Sequence, residues 1–135
     1  MTKTSPSQQK MKKHIEIPIF NIEYKVVVCW YDWATERDEL QEIFDLCKCP
    51  YKPPKPGSGR SWTAFSPSVP IICLQEFPKD AVGMAALAHE AAHAVSWIFE
   101  KMDEENTNHE SFAHSIGAVV RVTLESEQKK ETNEV

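Results

Sequence analysis

Long apolar runs are missing from this chain of 135 residues, and no stretch approaches the length that a helix needs to cross a bilayer. The first thirteen residues are polar and contain no apolar core, which excludes a secretory signal at this position. We therefore expect a protein without a membrane partner that stays in a reducing cytoplasm.

The chain also lacks an excess of positive charge and has few cysteines. Its formal net charge is −5 at pH 7, so nucleic acid is not the expected partner. Of the four cysteines, Cys47 and Cys49 could form half of a metal site, but no second closely spaced pair completes it. Cys29 and Cys73 lie in apolar runs that are typical of buried strands. We expect all four to be free thiols.

No internal repeat and no domain boundary is visible along the sequence. A hydrophobic share of 41% and a charged share of 26% are typical of one soluble globular domain with one core. Polar composition predicts disordered tails at residues 1–12 and 129–135. The folded domain is accordingly predicted to span residues 13–128.

Hydrophobic periodicity predicts an α+β fold with one helix upstream of two longer helices. An alternating segment containing Pro18 indicates an edge strand, and a continuous apolar run after it indicates a strand buried on both faces. The predicted strands are 15–19, 22–31, 60–65 and 69–74. The predicted helices are 35–47, with Thr35 as its cap and Leu40, Ile43, Phe44 and Leu46 as its apolar side, then 78–102 and 108–128.

An alanine-rich segment in the second predicted helix carries the most specific motif, His89-Glu90-Ala91-Ala92-His93. Residues four apart in a helix share one face, so His89 and His93 can bind one Zn²⁺ ion, with Glu90 beside it as a candidate general base. Five His and fifteen Glu in this chain would produce the H-E-x-x-H spacing by chance in only about 2% of cases. The alternative is a helix with two surface histidines.

A catalytic zinc site normally has three protein ligands, and the next candidates lie at the start of the last helix. Glu110 follows His93 by seventeen residues, which leaves room for a turn and a returning helix. Glu110 could instead close a capping box that begins at Thr107. His114 could be the third ligand, a partner of a ligand, or a donor to the transition state. The other two histidines, His109 and His14, are interpreted as a surface residue and a structural residue.

These residues resemble the gluzincin branch of zinc metallopeptidases, and more closely the small zincin-like proteins that bacteriophages encode. The resemblance covers roughly residues 62–120 and depends on three stretches: 87–95, 97–99 and 110–117. It implies a minimal zincin-like domain in which a small mixed sheet of three or four strands packs on the H-E-x-x-H helix, with a second, antiparallel helix at the zinc site. It also implies that the strand at 69–74 is an edge that binds extended peptides.

The same resemblance implies His89, His93 and Glu110 as zinc ligands and Glu90 as the base. The chain departs from larger gluzincins four residues after Glu110, where they commonly carry Asp and this chain has His114. A role for His114 in stabilising the transition state then becomes plausible. The predicted function is hydrolysis of a peptide bond in a peptide or protein, for example a host protein in a bacterial cytoplasm. The alternative is a non-proteolytic zinc protein that sequesters a host or defence factor.

Overall fold

Seven elements make up the part of the chain that this computed structural model describes, which is residues 12–19, 24–66, 69–101 and 109–133. In chain order they are β1 (His14–Ile19), β2 (Tyr24–Trp30), α1 (Arg37–Leu46), β3 (Ser61–Phe65), β4 (Pro70–Leu74), α2 (Ala81–Lys101) and α3 (His109–Asn133). Each corresponds to a predicted element. The predicted capping residue Thr107, and nearly all of the tail predicted at 1–12, lie outside the described residues.

The helix α3 has the largest boundary difference, because it continues past Gln128 and ends at Asn133. Most of the segment predicted as a disordered tail at 129–135 is therefore helical. Among the residues described, no helix combines the length and the apolar character that crossing a bilayer requires.

The four strands form one mixed sheet in the order β1-β2-β4-β3. The strands β1 and β2 are antiparallel, β2 and β4 are parallel, and β4 and β3 are antiparallel. The prediction that β1 is an edge strand is confirmed, and its Pro18 is tolerated there because one side of an edge strand needs no ladder hydrogen bonds. The described part of the chain therefore has a small α+β fold with a four-stranded mixed sheet and three helices.

The expectation that the strand at 69–74 is an edge is wrong, because β4 lies between β2 and β3. All five residues of β4 are buried, as expected for a strand that has neighbours on both sides and covered faces. The edge on this side of the sheet is β3, where burial varies along the strand and Trp62 is 40% exposed.

Both faces of the sheet are covered by helices. Ile72 and Leu74 of β4 belong to the hydrophobic cluster formed with α2 and α3, whereas Ile71 and Cys73 belong to the cluster formed with α1. The side of α1 that meets the sheet consists of Leu40, Ile43 and Phe44, as predicted. The predicted contribution of Leu46 is wrong, since its side chain is 76% exposed.

The start of α1 also differs from the prediction, because Thr35 is not its cap. The carboxylate of Asp32 accepts hydrogen bonds from the backbone amides of Thr35 at 2.9 Å and Ala34 at 2.8 Å. These backbone donors favour the charged form and lower the pKa of Asp32. A turn closed by Asp32 thus precedes the helix, and Glu36 occupies the cap position without a side-chain cap hydrogen bond.

All four cysteines are free thiols, as predicted. Cys29 and Cys73 are paired neighbours on β2 and β4 and are fully buried. Burial raises the pKa of the Cys73 thiol well above its usual value, and the adjacent Cys29 thiol raises it further. Burial likewise raises the pKa of Cys47. Because the thiolate is the form that reacts and binds metals, burial disfavours that chemistry at Cys73 and Cys47.

A proline-rich loop at residues 50–59 leads from α1 to the edge strand β3 and accepts hydrogen bonds from the side chains of Arg37 and Gln75, the latter at the Gly59 carbonyl oxygen at 2.7 Å. The half-buried Arg37 guanidinium donates hydrogen bonds to the carbonyl oxygens of Pro54 at 2.7 Å, Pro53 at 2.9 Å and Trp33 at 3.4 Å. The carbonyl oxygens of Pro53 and Pro54 have no hydrogen-bond partner in the sheet. The charged guanidinium donates to both, so neither is buried without a hydrogen bond. Arg37 thereby holds the chain that enters β3.

We predict that Arg37→Ala lowers the free energy of unfolding by about 1–3 kcal/mol, because hydrogen bonds from a charged group to the loop carbonyls are removed. Urea unfolding followed by circular dichroism measures the change. The matched control is Arg121→Ala, which removes only an exposed ion pair with Glu125 within α3 and should cost less than about 0.5 kcal/mol. Equal effects of the two substitutions would show that Arg37 does not anchor the loop.

Candidate metal centre

The helix α2 exposes two imidazole rings at one point of its surface. His89 and His93 lie one turn apart, and both side chains are exposed. Their Nε2 atoms are 3.3 Å apart, and the ring planes meet at 81° with centroids separated by 4.8 Å. The pair is positioned because the opposite side of α2, which includes Leu87, Ala91 and Ala94, is buried against the sheet.

The distance between the two nitrogens fits the geometry of a shared zinc ion. Zinc binds imidazole nitrogen at about 2.0–2.1 Å in tetrahedral sites, so two ring nitrogens on one ion are separated by about 3.3–3.4 Å. The observed 3.3 Å between the Nε2 atoms of His89 and His93 meets this requirement. A hydrogen bond between a protonated and an unprotonated ring nitrogen has a similar length, so metal content distinguishes the two interpretations.

Glu90 lies between the histidines in sequence but points into the protein, and it is 7% exposed. Its Oε2 accepts a hydrogen bond from the Ser61 hydroxyl at 2.8 Å, and its Oε1 accepts one from the Thr63 hydroxyl at 2.6 Å. Thr63 also contacts the Glu90 carbonyl oxygen at 3.4 Å. Both donors are on β3, two residues apart, so their side chains point to the same face of the sheet, which meets α2. An ionised carboxylate only accepts hydrogen bonds, and here each oxygen has a hydroxyl donor.

Glu110 and His114, the predicted third ligand and its neighbour, lie elsewhere. Both are exposed on α3, and together with Pro18 and Ile19 of β1 they line a groove of about 390 Å³. Within the described part of the chain, no group of three His, Cys, Asp or Glu side chains is arranged to hold a metal ion. The structure therefore brings His89 and His93 together and does not bring Glu110 to them.

The orientation of α3 explains why Glu110 faces away from α2. Phe112 packs edge-on against Phe99 of α2, with ring centroids 5.4 Å apart. Each residue of a helix turns by about 100°, so Glu110 and His114 both lie about 200° around the helix from Phe112. When Phe112 faces α2, these two side chains face the opposite side and meet β1.

The residues that hold Glu90 could not be recognised from the motif. Ser61 and Thr63 carry no sequence signal of their own, because their role depends on which strand lies next to α2. On the same strand, Phe65 stacks on Trp97 of α2 with ring centroids 5.9 Å apart. A cavity of about 400 Å³ lies at the start of α2. Its lining includes Arg60, the residue before Ser61, and Ala86, which is one helical turn before Glu90.

Comparison with protein-family models, with curated proteins and with solved structures finds no match for this chain. The interpretation of the centre therefore depends on the motif and on the distances given above.

We predict that purified protein retains about one zinc ion per chain and that His89→Ala and His93→Ala each remove it, because a single imidazole does not make a stable site. The melting temperature should fall in both variants, since bound metal stabilises the folded state. Elemental analysis after dialysis measures the metal. His14→Ala is the control, because His14 contacts Tyr31 at the other edge of the sheet and should not affect zinc content. Unchanged zinc in His89→Ala and His93→Ala would reject the site.

Proposed function

We propose that this protein is a zinc-dependent metallopeptidase with a minimal zincin-like domain, in which His89 and His93 bind the metal. The observation that carries the proposal is the 3.3 Å separation of the two Nε2 atoms, on a helix whose Glu90 carboxylate is held in place by two hydroxyl donors of β3. A purely structural zinc site has no use for Glu90, whereas a hydrolytic site requires a base at that position.

Zinc in such a site supplies a Lewis acid, which lowers the pKa of water and polarises the scissile carbonyl. Glu90 accepts the proton from the attacking water and donates it to the leaving amine. Ser61 and Thr63 hold the Glu90 carboxylate through both oxygens while it does so. Because Glu90 is buried, bulk water has little access to its carboxylate and competes weakly with it for the proton of the attacking water.

The open edge of β3 is the proposed binding surface for the substrate. Among the strands that the structure describes, β3 pairs with β4 alone, so its outer backbone groups can pair with an extended peptide by strand addition. Its inner face already contacts Glu90 through Ser61 and Thr63. A peptide on this edge therefore lies next to Glu90. This placement supports β3 as the peptide-binding edge, which the resemblance had implied to be the strand at 69–74.

Glu110 is the proposed third ligand, and this part of the proposal demands a rearrangement. Because Phe112 holds α3 with Glu110 facing β1, coordination requires the first turn of α3 to rotate toward the histidine pair. His114 would move with Glu110, since the two residues lie one turn apart. In that position it could donate a hydrogen bond to the developing oxyanion.

We predict that Glu110→Ala weakens zinc binding at least about tenfold if Glu110 is a ligand, because a charged donor to the metal is lost. Competition with a chromophoric chelator measures the affinity. Glu125→Ala, on the same helix and paired with Arg121, is the matched control and should bind zinc as the wild type does. An affinity of Glu110→Ala equal to that of the control would assign the third ligand to another group.

The second candidate is a zinc-containing protein that binds and sequesters a host or defence factor without cleaving it. One observation favours it: in the described residues the histidine pair has no third protein ligand. Under this alternative the edge of β3 is still a binding surface, but Glu90 has only a structural role.

We predict that the wild-type protein cleaves members of a peptide library, that a chelator stops cleavage, and that Glu90→Gln retains zinc while lowering the rate about 10²–10⁴-fold. The amide keeps the shape of the side chain but cannot accept the proton at neutral pH. Mass spectrometry of the library identifies the products. Cleavage by Glu90→Gln at the wild-type rate would remove Glu90 from the mechanism, and a wild type that binds zinc without cleaving any peptide would favour the second candidate.

A further inference from the structure

Two hydroxyl groups of the edge strand hold the carboxylate that neighbours the histidine pair, and their arrangement suggests a specific task. We infer that Ser61 and Thr63 are positioning residues that keep Glu90 available as a base by preventing it from becoming a metal ligand. This inference rests on the proposed zinc site at His89 and His93.

Glu90 has the chemistry of a zinc ligand and is close to the pair along α2. It lies about 100° around the helix from His89 and about 60° from His93, so the three residues occupy adjoining positions on α2, with Glu90 at the boundary between its exposed and buried sides. Carboxylate oxygens bind zinc readily, and the pair has no third protein ligand among the described residues. The identity of the residue therefore does not explain why Glu90 would stay off the metal.

The contacts on β3 supply the missing restraint. Ser61 donates to Oε2 at 2.8 Å and Thr63 donates to Oε1 at 2.6 Å, so each oxygen is held by its own hydroxyl. Glu90 is 7% exposed and Thr63 is 8% exposed, so bulk water competes weakly for these hydrogen bonds. The carboxylate cannot turn toward the histidines without breaking at least one of them.

The two donors are themselves fixed by the sheet. Ser61 pairs with Leu74 and Thr63 pairs with Ile72 in the antiparallel ladder between β3 and β4. Residues two apart on a strand point to the same face, so the register of this ladder directs both hydroxyls at α2. A carboxylate that is bound to the metal is a weaker base, because the nearby positive charge disfavours its protonation. The ladder thus separates the residue that performs acid–base chemistry from the residues that bind the ion.

Cobalt titration tests this inference without any substrate. Co²⁺ replaces zinc in nitrogen and oxygen sites and has visible absorption bands that respond to a change of ligand. The variant Ser61→Ala/Thr63→Val removes both hydroxyls, and valine keeps the shape and strand preference of threonine. We expect its Co²⁺ spectrum to differ from that of the wild type and its zinc affinity to rise about tenfold as Glu90 joins the metal.

Two further variants separate this effect from a disturbed fold. Thr63→Ser keeps the hydroxyl and should give the wild-type spectrum. Adding Glu90→Gln to Ser61→Ala/Thr63→Val removes the carboxylate that would bind, and should return both spectrum and zinc affinity to wild-type values. Circular dichroism melting checks that each variant is folded before it is titrated.

The possible results lead to different conclusions. A changed spectrum in Ser61→Ala/Thr63→Val that Glu90→Gln reverses supports the positioning role. Co²⁺ bound with the same spectrum in all variants overturns that role and leaves the zinc site standing. A changed spectrum that persists after Glu90→Gln also overturns it, because another group would then have moved. No Co²⁺ bound by any variant, including the wild type, rejects the zinc site and this inference with it.

Discussion

The convergence of two imidazole nitrogens on the exposed side of α2 is the feature on which the functional interpretation depends. It results from an ordinary helical spacing of four residues and from burial of the other side of the same helix. Leu87, Ala91 and Ala94 lie in the core, and this leaves His89 and His93 only one direction in which to point. In this arrangement the Nε2 atoms of the two rings lie 3.3 Å apart.

The sheet contributes the other half of the centre. Because β4 is buried on both faces and central, β3 becomes the edge and its inner face meets α2. Ser61 and Thr63 then contact a carboxylate that would otherwise be desolvated without partners, at a cost of about 1–3 kcal/mol or more for a charged group. Arg37 holds the loop that enters this strand. Glu90 is thus positioned by residues far from it in sequence.

Local pattern was sufficient to predict the elements and the motif, because both depend on short-range periodicity. The alternation around Pro18 indicated an edge strand, and the spacing of His89 and His93 indicated one helical face, as the structure has them. The position of β4 in the sheet could not be read from its apolar run, since strand order depends on long-range pairing. The turn at Asp32 was missed because Thr35 is an equally good cap by composition.

The orientation of Glu110 is the clearest case in which spacing along the chain was not enough. Seventeen residues after His93 are compatible with a return to the site, but the rotation of α3 is set by which of its side chains pack on α2. Phe112 takes that position against Phe99, and Glu110 consequently faces β1. Two apolar stripes predict that two helices pack together. Which side of each helix faces the other depends on how the side chains fit together in the core.

X-ray absorption spectroscopy at the zinc edge, on protein reconstituted with one equivalent of zinc, identifies the atoms that bind the metal. If His89 and His93 hold the zinc, the nearest atoms are nitrogen and oxygen only, at about 2.0–2.1 Å, and the more distant scattering is that of two imidazole rings. Sulfur at about 2.3 Å would assign the metal to the cysteines, and a spectrum without imidazole scattering would show that the histidine pair does not bind it.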